Sequence, residues 1–410
     1  MRILILVHQF YPEYAGGTEK VTLGLAKLAQ RAGHFVRILT CVTGEMSDLW
    51  RQGISDSLWN TAYEGIPITG IKHKDISDVG DYSLEFNEPL VGEVGKLLAI
   101  ENFDVCHVMH SMRMTSAIQA VSNHGLPYIL SLTDFYLPCY RINLITQTGK
   151  LCTGADGGYE CRRQCLVPEW DADTLIRRYQ IAHKIIHEAE HIVCPSEFVA
   201  LQFRREFLEV KFTVIPHGID LASFKMDLAE KEVKNLIFGY LGTMNSVKGI
   251  DVLISAFRKI KSEEVGLHLY GGFFGDKDYE EKLTKLAEGD VRIKFFPSVS
   301  SEQVFQVLQS FDLVCIPSVV PETFSLVLHE ATAACTPAIV SSLGAPRDYI
   351  EQNKCGAVVN AGDIDAWCNQ LKRIINKPQV IDEWRQNLPL PLRTEEEAFF
   401  YQTIYKKVIG

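Results

Sequence analysis

The stretch Val214-Ile215-Pro216-His217-Gly218 decides the fold, because the same pattern of short apolar runs stands on both sides of it. Before it, runs rich in β-branched and aliphatic residues fall at Ile3 to Val7, Val36 to Thr40, Val105 to Met109, Tyr128 to Leu132 and His191 to Cys194. After it the rhythm restarts at Leu236 to Leu241, Leu267 to Tyr270, Ile293 to Phe296, Leu313 to Ile316 and Ala338 to Val340. Between several of these runs lie residues at helical spacing, such as Val21, Leu25, Leu28 and Ala29, closed by Gly33. Strand alternating with helix implies a parallel sheet covered by helices on both faces, and the restart implies two of them.

The expected class is therefore α/β, with two Rossmann-like doubly wound domains. Residues 1–217 form the first, with a cysteine-containing insertion at 139–165, and residues 218–390 the second. A terminal segment, 391–410, reads as helix from Glu395 to Val408, and the charged stretch Lys225 to Lys234 reads as a surface connection. Open α/β sheets bind ligands beyond the carboxyl ends of their strands, so two such domains are expected to face a common cleft.

Length and composition agree with this division. A chain of 410 residues exceeds one ordinary hydrophobic core. With 47% apolar and 22% charged residues its balance is globular, and no apolar run reaches the ~18 residues that cross a bilayer. Met1 to His8 runs directly into Gln9, Tyr11, Pro12 and Glu13 with no small-residue cleavage site, which reads as a buried strand rather than a signal peptide. That reading places the chain in the cytoplasm and its eleven cysteines in a reducing compartment, as thiols or metal ligands. The net charge of −10 argues against nonspecific binding to nucleic acid. Two basic spots, Arg177, Arg178 and Lys184 on one stretch and Arg204 with Arg205 on another, admit two readings: a solvated helix face, or contact with anionic headgroups at the inner membrane face.

Three loops carry the chemistry. Glu322-Thr323-Phe324-Ser325-Leu326-Val327-Leu328-His329-Glu330 follows an apolar strand and leads into helix-forming Ala331 to Ala334. A helix opening near Ser325 would turn free N–H groups and a positive dipole end toward an anionic ligand. Glu322 then precedes the helix and Glu330 lies inside it, two carboxylates suited to the hydroxyl pairs of a sugar and a ribose. The plainer reading makes Glu322 a capping acid and Glu330 a surface residue. The second loop, Leu241-Gly242-Thr243-Met244-Asn245-Ser246-Val247-Lys248-Gly249, joins a strand to a helix with Ile250, Leu253, Phe257 and Ile260 on one face. Its glycines admit a diphosphate to backbone N–H groups, and Lys248 adds a positive charge where a leaving diphosphate gathers negative charge. The third, Tyr14-Ala15-Gly16-Gly17-Thr18, lacks the full dinucleotide fingerprint and reads as close backbone approach to a ligand.

Taken with Arg31-Ala32-Gly33-His34, Pro195-Ser196-Glu197-Phe198, Ile215-Pro216-His217-Gly218-Ile219-Asp220 and Pro317-Ser318, these loops make nearly the whole chain resemble the retaining glycosyltransferases of the GT-B fold, specifically family four. The resemblance implies a donor site in which Glu322 sits by the donor sugar, Glu330 binds the nucleotide ribose and Lys248 contacts the diphosphate. Gly242, Thr243, Thr323, Phe324, Ser325 and Leu326 complete it, and Gly16 and Gly17 face the donor from the first domain. It further implies that the terminal helix crosses back to the first domain, that no divalent metal is needed for catalysis, and that the reaction is a front-face displacement without a protein nucleophile.

Three positions depart from the family pattern. Thr243 stands where many relatives carry an arginine, Ser325 where a glycine is common, and Thr133, in Thr133-Asp134-Phe135, where a histidine commonly precedes the aspartate and contacts the donor sugar. Thr133 is the expected substitute, hydrogen-bonding a sugar hydroxyl beside Asp134, ahead of His110 at the strand end Val108-Met109-His110.

Cys139, Cys152, Cys161 and Cys165 leave their own alternatives: a tetrahedral structural zinc shell organising the insertion, or four reduced thiols. A similar cysteine-bearing insertion in some relatives supports a structural role. The remaining cysteines, and His8, His107 and His217, read as core or supporting residues. The function expected is transfer of a sugar from a nucleotide-sugar donor to a carbohydrate, lipid-linked or small-molecule acceptor. The alternatives are a GT-B phosphorylase or a sucrose- or trehalose-type synthase, and a catalytically weak sugar-nucleotide binder.

Overall fold

A computed structural model describes residues 1–44, 48–76, 82–165, 172–221, 235–273 and 276–410. The stretch Lys225 to Lys234 lies outside the described residues. The chain divides into two compact units, Met1–Gly218 with Thr394–Gly410, and Ile219–Arg393.

The first unit is built on a nine-stranded sheet. Its strands are β1 (Arg2–Val7), β2 (Phe35–Val42), β3 (Arg51–Gln52), β4 (Leu58–Tyr63), β5 (Ile66–Lys72), β6 (Val105–Val108), β7 (Tyr128–Ser131), β8 (His191–Cys194) and β9 (Thr213–Val214), in the order β3-β4-β5-β2-β1-β6-β7-β8-β9. From β5 to β9 every neighbour is parallel, and β1, β6 and β7 are almost wholly buried, as strands covered on both faces must be. The sequence reading missed β3, β4, β5 and β9. The β4–β5 hairpin turns on Glu64-Gly65, both at positive φ (49° and 81°), the two-residue turn whose twist matches antiparallel strands.

The second unit holds β10 (Leu236–Leu241), β11 (Val265–Tyr270), β12 (Ile293–Phe296), β13 (Leu313–Ile316), β14 (Ala338–Ser341) and β15 (Gly356–Val359), all parallel, in the order β12-β11-β10-β13-β14-β15. The parallel part of each sheet therefore reverses its strand order once, at β1/β6 in the first unit and at β10/β13 in the second. Loops leaving adjacent strands in opposite directions open a crevice at such a point.

The helix Thr394–Ile409 belongs to the first unit. His107, on β6, shares hydrogen bonds with the Tyr405 hydroxyl at Nδ1 (2.7 Å) and the Ser131 hydroxyl at Nε2 (2.8 Å), and Ser131 meets the Tyr401 hydroxyl at 3.0 Å. Burial pushes the His107 imidazole down to about 3, so the network is held together by a neutral ring. Fully buried Glu397 accepts from the Gly218 N–H (2.8 Å) and meets His217 Nδ1 at 2.9 Å.

One basic spot is not what the sequence suggested. Arg178, on the helix Ala172–Glu188, is buried, and its guanidinium donates to the carbonyls of Tyr82 (2.6 Å), Leu137 (2.9 Å) and Tyr136. Five fixed N–H donors make arginine the side chain able to satisfy several carbonyls at once, so its charge serves the interior and faces neither water nor lipid. Arg177 and Lys184 remain partly exposed and pair with Glu85 and Glu188.

Candidate active site

In the second unit the loops after β10 and β13 meet at the order reversal. The first runs through Gly242 and exposed Thr243 to a short 3-10 turn, Ser246–Lys248, before the helix Ile250–Arg258. The second runs through Pro317 and Ser318 to the helix Leu326–Ala333. Gly249, at φ +67°, lets them touch: a Cβ there would collide with the Pro317 carbonyl. The Val319 N–H donates to the Val247 carbonyl across the join (2.9 Å).

That approach sets Lys248 Nζ 2.7 Å from Glu322 Oε1, and the Ser318 hydroxyl donates to the same oxygen. Burial by itself would raise the Glu322 carboxyl. The Lys248 ammonium and its hydrogen bond outweigh that, and the net effect holds Glu322 below the ordinary glutamate range, ionised. The neighbouring Tyr240 phenol is driven well up, by burial first and the Glu322 charge second. Ser325 caps the helix at φ +71° and ψ 84°, a left-handed backbone that costs any residue with a Cβ, which accounts physically for glycine being common there. Phe324 stacks on His329 (centroids 3.8 Å, 8°), and His329 Nδ1 donates to the Ser325 carbonyl (3.1 Å), pinning the helix start. Glu330 is buried in that helix, not a surface residue. The structure thus brings Lys248, Glu322 and the amino end of one helix to a single place.

In the first unit the corresponding reversal gathers His8 from the end of β1, His110 from the end of β6, Thr133 and Asp134 after β7, and Glu19 from the first turn of the helix Gly17–Arg31. Thr133 donates its hydroxyl to the Met109 carbonyl (3.0 Å), a local structural bond. Asp134 Oδ1 accepts from the Tyr136 N–H (3.0 Å), and its Oδ2 lies 2.9 Å from His110 Nε2. The His110 ring stacks on His8 (3.8 Å, 28°), whose Nε2 lies 3.7 Å from Glu19 Oε1. Gly16 leaves room for this carboxylate, since a Cβ at 16 would strike Glu19. Burial raises Glu19 above the ordinary range and, with His110 and Arg113 adding repulsion, lowers His8 well below its own.

Sequence reasoning placed Thr133 ahead of His110 and passed over Glu19 altogether. The available signal for Glu19 was its position in the first turn of the helix opened by Gly16-Gly17, where an acid is favoured by the helix dipole.

The four insertion cysteines lie near enough for Cys139, Cys152 and Cys165 all to raise the Cys161 thiol, which burial already pushes up, to about 12. Cys152 Sγ is engaged with its own loop, accepting from the Gly154 N–H (3.4 Å). Among the described residues no group of three or more His, Cys, Asp or Glu side chains is placed to hold a metal ion.

Two doubly wound units, with an ion pair and a helix start at one order reversal, define the class as a two-domain α/β protein of the GT-B fold. The chain belongs to glycosyltransferase family 4: the model described as Glycosyltransferase Family 4 matches residues 15–223, and that for glycosyl transferases group 1 matches 224–389. It is 25% identical over 209 residues to the D-inositol 3-phosphate glycosyltransferase of Mycolicibacterium smegmatis, covering 47% of each chain. The match thus spans about half the length of the curated relatives of this kind. To an uncharacterized glycosyltransferase of Methanocaldococcus jannaschii it is 24% identical over 400 residues, covering 92% of this chain and 89% of the other. Among solved structures it is similar in fold to Anabaena HepE in complex with UDP and glucose (TM-score 0.68, 18% identity, 99% of each chain). Sucrose-phosphate synthase from Thermosynechococcus elongatus is likewise similar (TM-score 0.71, 18% identity, 99% of this chain and 98% of that one).

Proposed function

We propose that this chain is a retaining glycosyltransferase that moves a sugar from a nucleotide-sugar donor to a carbohydrate, lipid-linked or small-molecule acceptor without a catalytic metal. The observation that carries this is the Lys248–Glu322 pair set beside the amino end of the helix Leu326–Ala333, at the strand-order reversal of the second unit. A diphosphate entering there meets one ammonium and a row of helix N–H groups, charge that is in place before the leaving group develops its own. Lys248 then exchanges part of its contact with Glu322 for phosphate oxygens, and Glu322 is released toward the hydroxyls of the donor sugar. Glu330, one helical turn further in, takes the ribose hydroxyls, and Gly242, Thr243, Thr323, Phe324, Ser325 and Leu326 frame the donor. Asp134, with Gly16 and Gly17, belongs to the first unit's share of the reaction.

HepE and a starch synthase of the same fold are described with UDP-glucose and with ADP, respectively, which makes those the first donors to try. A cytoplasmic location, with contact at the inner membrane face left to the acceptor, belongs to the same reading and is supported by eleven free thiols. Among the described residues no helix is long and apolar enough to cross a membrane.

The test is thermal protection by UDP-, GDP- and ADP-sugars at millimolar concentration. At 100 times its dissociation constant a ligand adds about 2.7 kcal/mol, so the matching donor raises Tm by several degrees. Glu330→Ala should abolish that rise. If no nucleotide sugar protects the unaltered chain, the donor-site reading fails.

A further inference from the structure

The polar cluster of the first unit has more hydrogen-bonding capacity than the protein uses. Glu19, His8 and His110 are each at least nine-tenths buried. Yet Glu19 Oε1, His8 Nδ1 and Asp134 Oδ2 have no hydrogen-bond partner. A buried polar atom left unpaired costs free energy, so several converging ones mark a place where a ligand completes the set.

The tautomer of His110 follows from its neighbours. The Met112 N–H donates to Nδ1 (3.2 Å), so Nδ1 is unprotonated and a neutral ring carries its proton on Nε2. Nε2 lies only 2.9 Å from Asp134 Oδ2, but that oxygen remains without a hydrogen bond, so the N–H does not run along the line between them. The stacking on His8 and the Met112 N–H together hold the ring in this orientation. One aimed N–H donor and two carboxylate acceptors, Glu19 Oε1 and Asp134 Oδ2, therefore point away from mutual satisfaction. The chemistry they suit is a neutral polyol: a hydroxyl both accepts from Nε2–H and donates to a carboxylate, whereas an anion would meet two carboxylates. Thr133 is already spent on the Met109 carbonyl.

We propose that His110, oriented by Met112 and His8 and flanked by Asp134 and Glu19, is the imidazole with which this chain engages sugar hydroxyls, in place of Thr133. The proposal rests on the glycosyltransferase reading above, and the hydroxyls belong either to the transferred sugar or to an acceptor glycan.

Two measurements test it. In the first, release of nucleoside diphosphate from UDP-glucose, GDP-mannose and ADP-glucose in water is compared among the unaltered chain, His110→Ala, His110→Gln and Thr133→Val. Loss of a hydrogen-bond donor that acts on the reacting sugar costs about 100-fold in rate. His110→Ala is expected to lose that much, with thermal protection by UDP alone kept. His110→Gln, which keeps an N–H near Nε2, should recover part of the loss, and Thr133→Val should lose less than His110→Ala. In the second, the His110 imidazole is followed by 15N NMR, assigned through the Gln variant. A shift with UDP-glucose beyond that with UDP assigns the hydroxyls to the donor sugar, and a shift with methyl glucoside plus UDP assigns them to an acceptor. A larger loss for Thr133→Val than for His110→Ala, or a His110 ring unmoved by every sugar, overturns the proposal. If no nucleotide protects the unaltered chain it is the donor reading that fails, and the response of His110 to methyl glucoside still decides this one.

Discussion

The two units reverse strand order in the same way and equip the reversal oppositely. At β10/β13 a partly buried glutamate sits with its counter-ion, Lys248 at 2.7 Å and the Ser318 hydroxyl alongside, and is held ionised. At β1/β6 a glutamate is buried with two imidazoles, one of them lowered well below its usual range, and burial raises the carboxyl instead. The first arrangement is a charge pair ready to be opened by an anion. The second is an under-bonded pocket of two carboxylates and two imidazoles, which on the proposed reading is completed by hydroxyls. The same topology gives two chemistries because the loops, not the sheets, choose the counter-charges.

The most severe way to break this comparison is to remove the cation. Lys248→Ala should cut kcat by about 10²–10³, the usual cost of losing one preorganised stabiliser of a developing anion. It should also weaken protection by UDP. Both losses should exceed anything produced by a neutral substitution at Thr243, whose side chain stands exposed on the same loop. A Lys248→Ala chain that turns over donor at the unaltered rate would remove the second unit's claim to the leaving group.

The opposed carboxylates can be separated by pH. Glu322 is depressed below the ordinary glutamate value near 4.5, so its stabilising contribution is fully present above that value and is lost as the pH falls through its folded value. Glu19 is raised, so its ionised form costs stability at neutral pH, and that cost disappears as the pH falls through the raised value toward 4.5. Amide hydrogen exchange read separately in each unit should show Glu19→Gln stabilising the first unit at pH 7 and doing little at pH 4. Glu322→Gln should destabilise the second at pH 7, with the difference shrinking in acid. The same sign for both variants at pH 7 would erase the contrast.

How far these features were legible depends on whether a local pattern carries them. The parallel strands were readable because strands buried on both faces are continuous apolar runs, as in Ile3 to Val7. The β4–β5 hairpin was missed although Glu64-Gly65 marks its turn, because Trp59, Asn60 and Thr61 break the apolar run. Short β15 offers only Ala357, Val358 and Val359 after Gly356, a run too brief to stand out. Glycines and the glutamate spacing made these two loops conspicuous, yet the separation of 74 positions between Lys248 and Glu322 hides that they touch. The place of His110 beside His8 was hidden for a similar reason. Its stacking on His8 exists only because β6 lies next to β1, a pairing set by sheet order that leaves no local mark. The burial of Arg178 is equally silent, since its partners are backbone carbonyls.

The mildest test concerns strain at the entrance to the helix Leu326–Ala333. Ser325 holds φ +71° at the entrance to the helix Leu326–Ala333, where a residue with a Cβ pays about 1 kcal/mol or more that glycine does not. Glycine also makes the unfolded chain looser, which returns part of that gain. Ser325→Gly should therefore stabilise the second unit by about 0.5–1 kcal/mol, a rise of one to a few degrees in its Tm for a unit of this size. No comparable gain is available at Gly16, which already leaves the space occupied by Glu19. If Ser325→Gly instead lowers Tm, the serine must repay its backbone cost through its hydroxyl, and Ser325→Ala, which keeps the strain and removes the hydroxyl, would then fall further still. A gain in stability with slower turnover would mean that the strained serine fixes the direction of the first helix N–H groups, so the second unit would owe its anion site to backbone geometry as much as to Lys248.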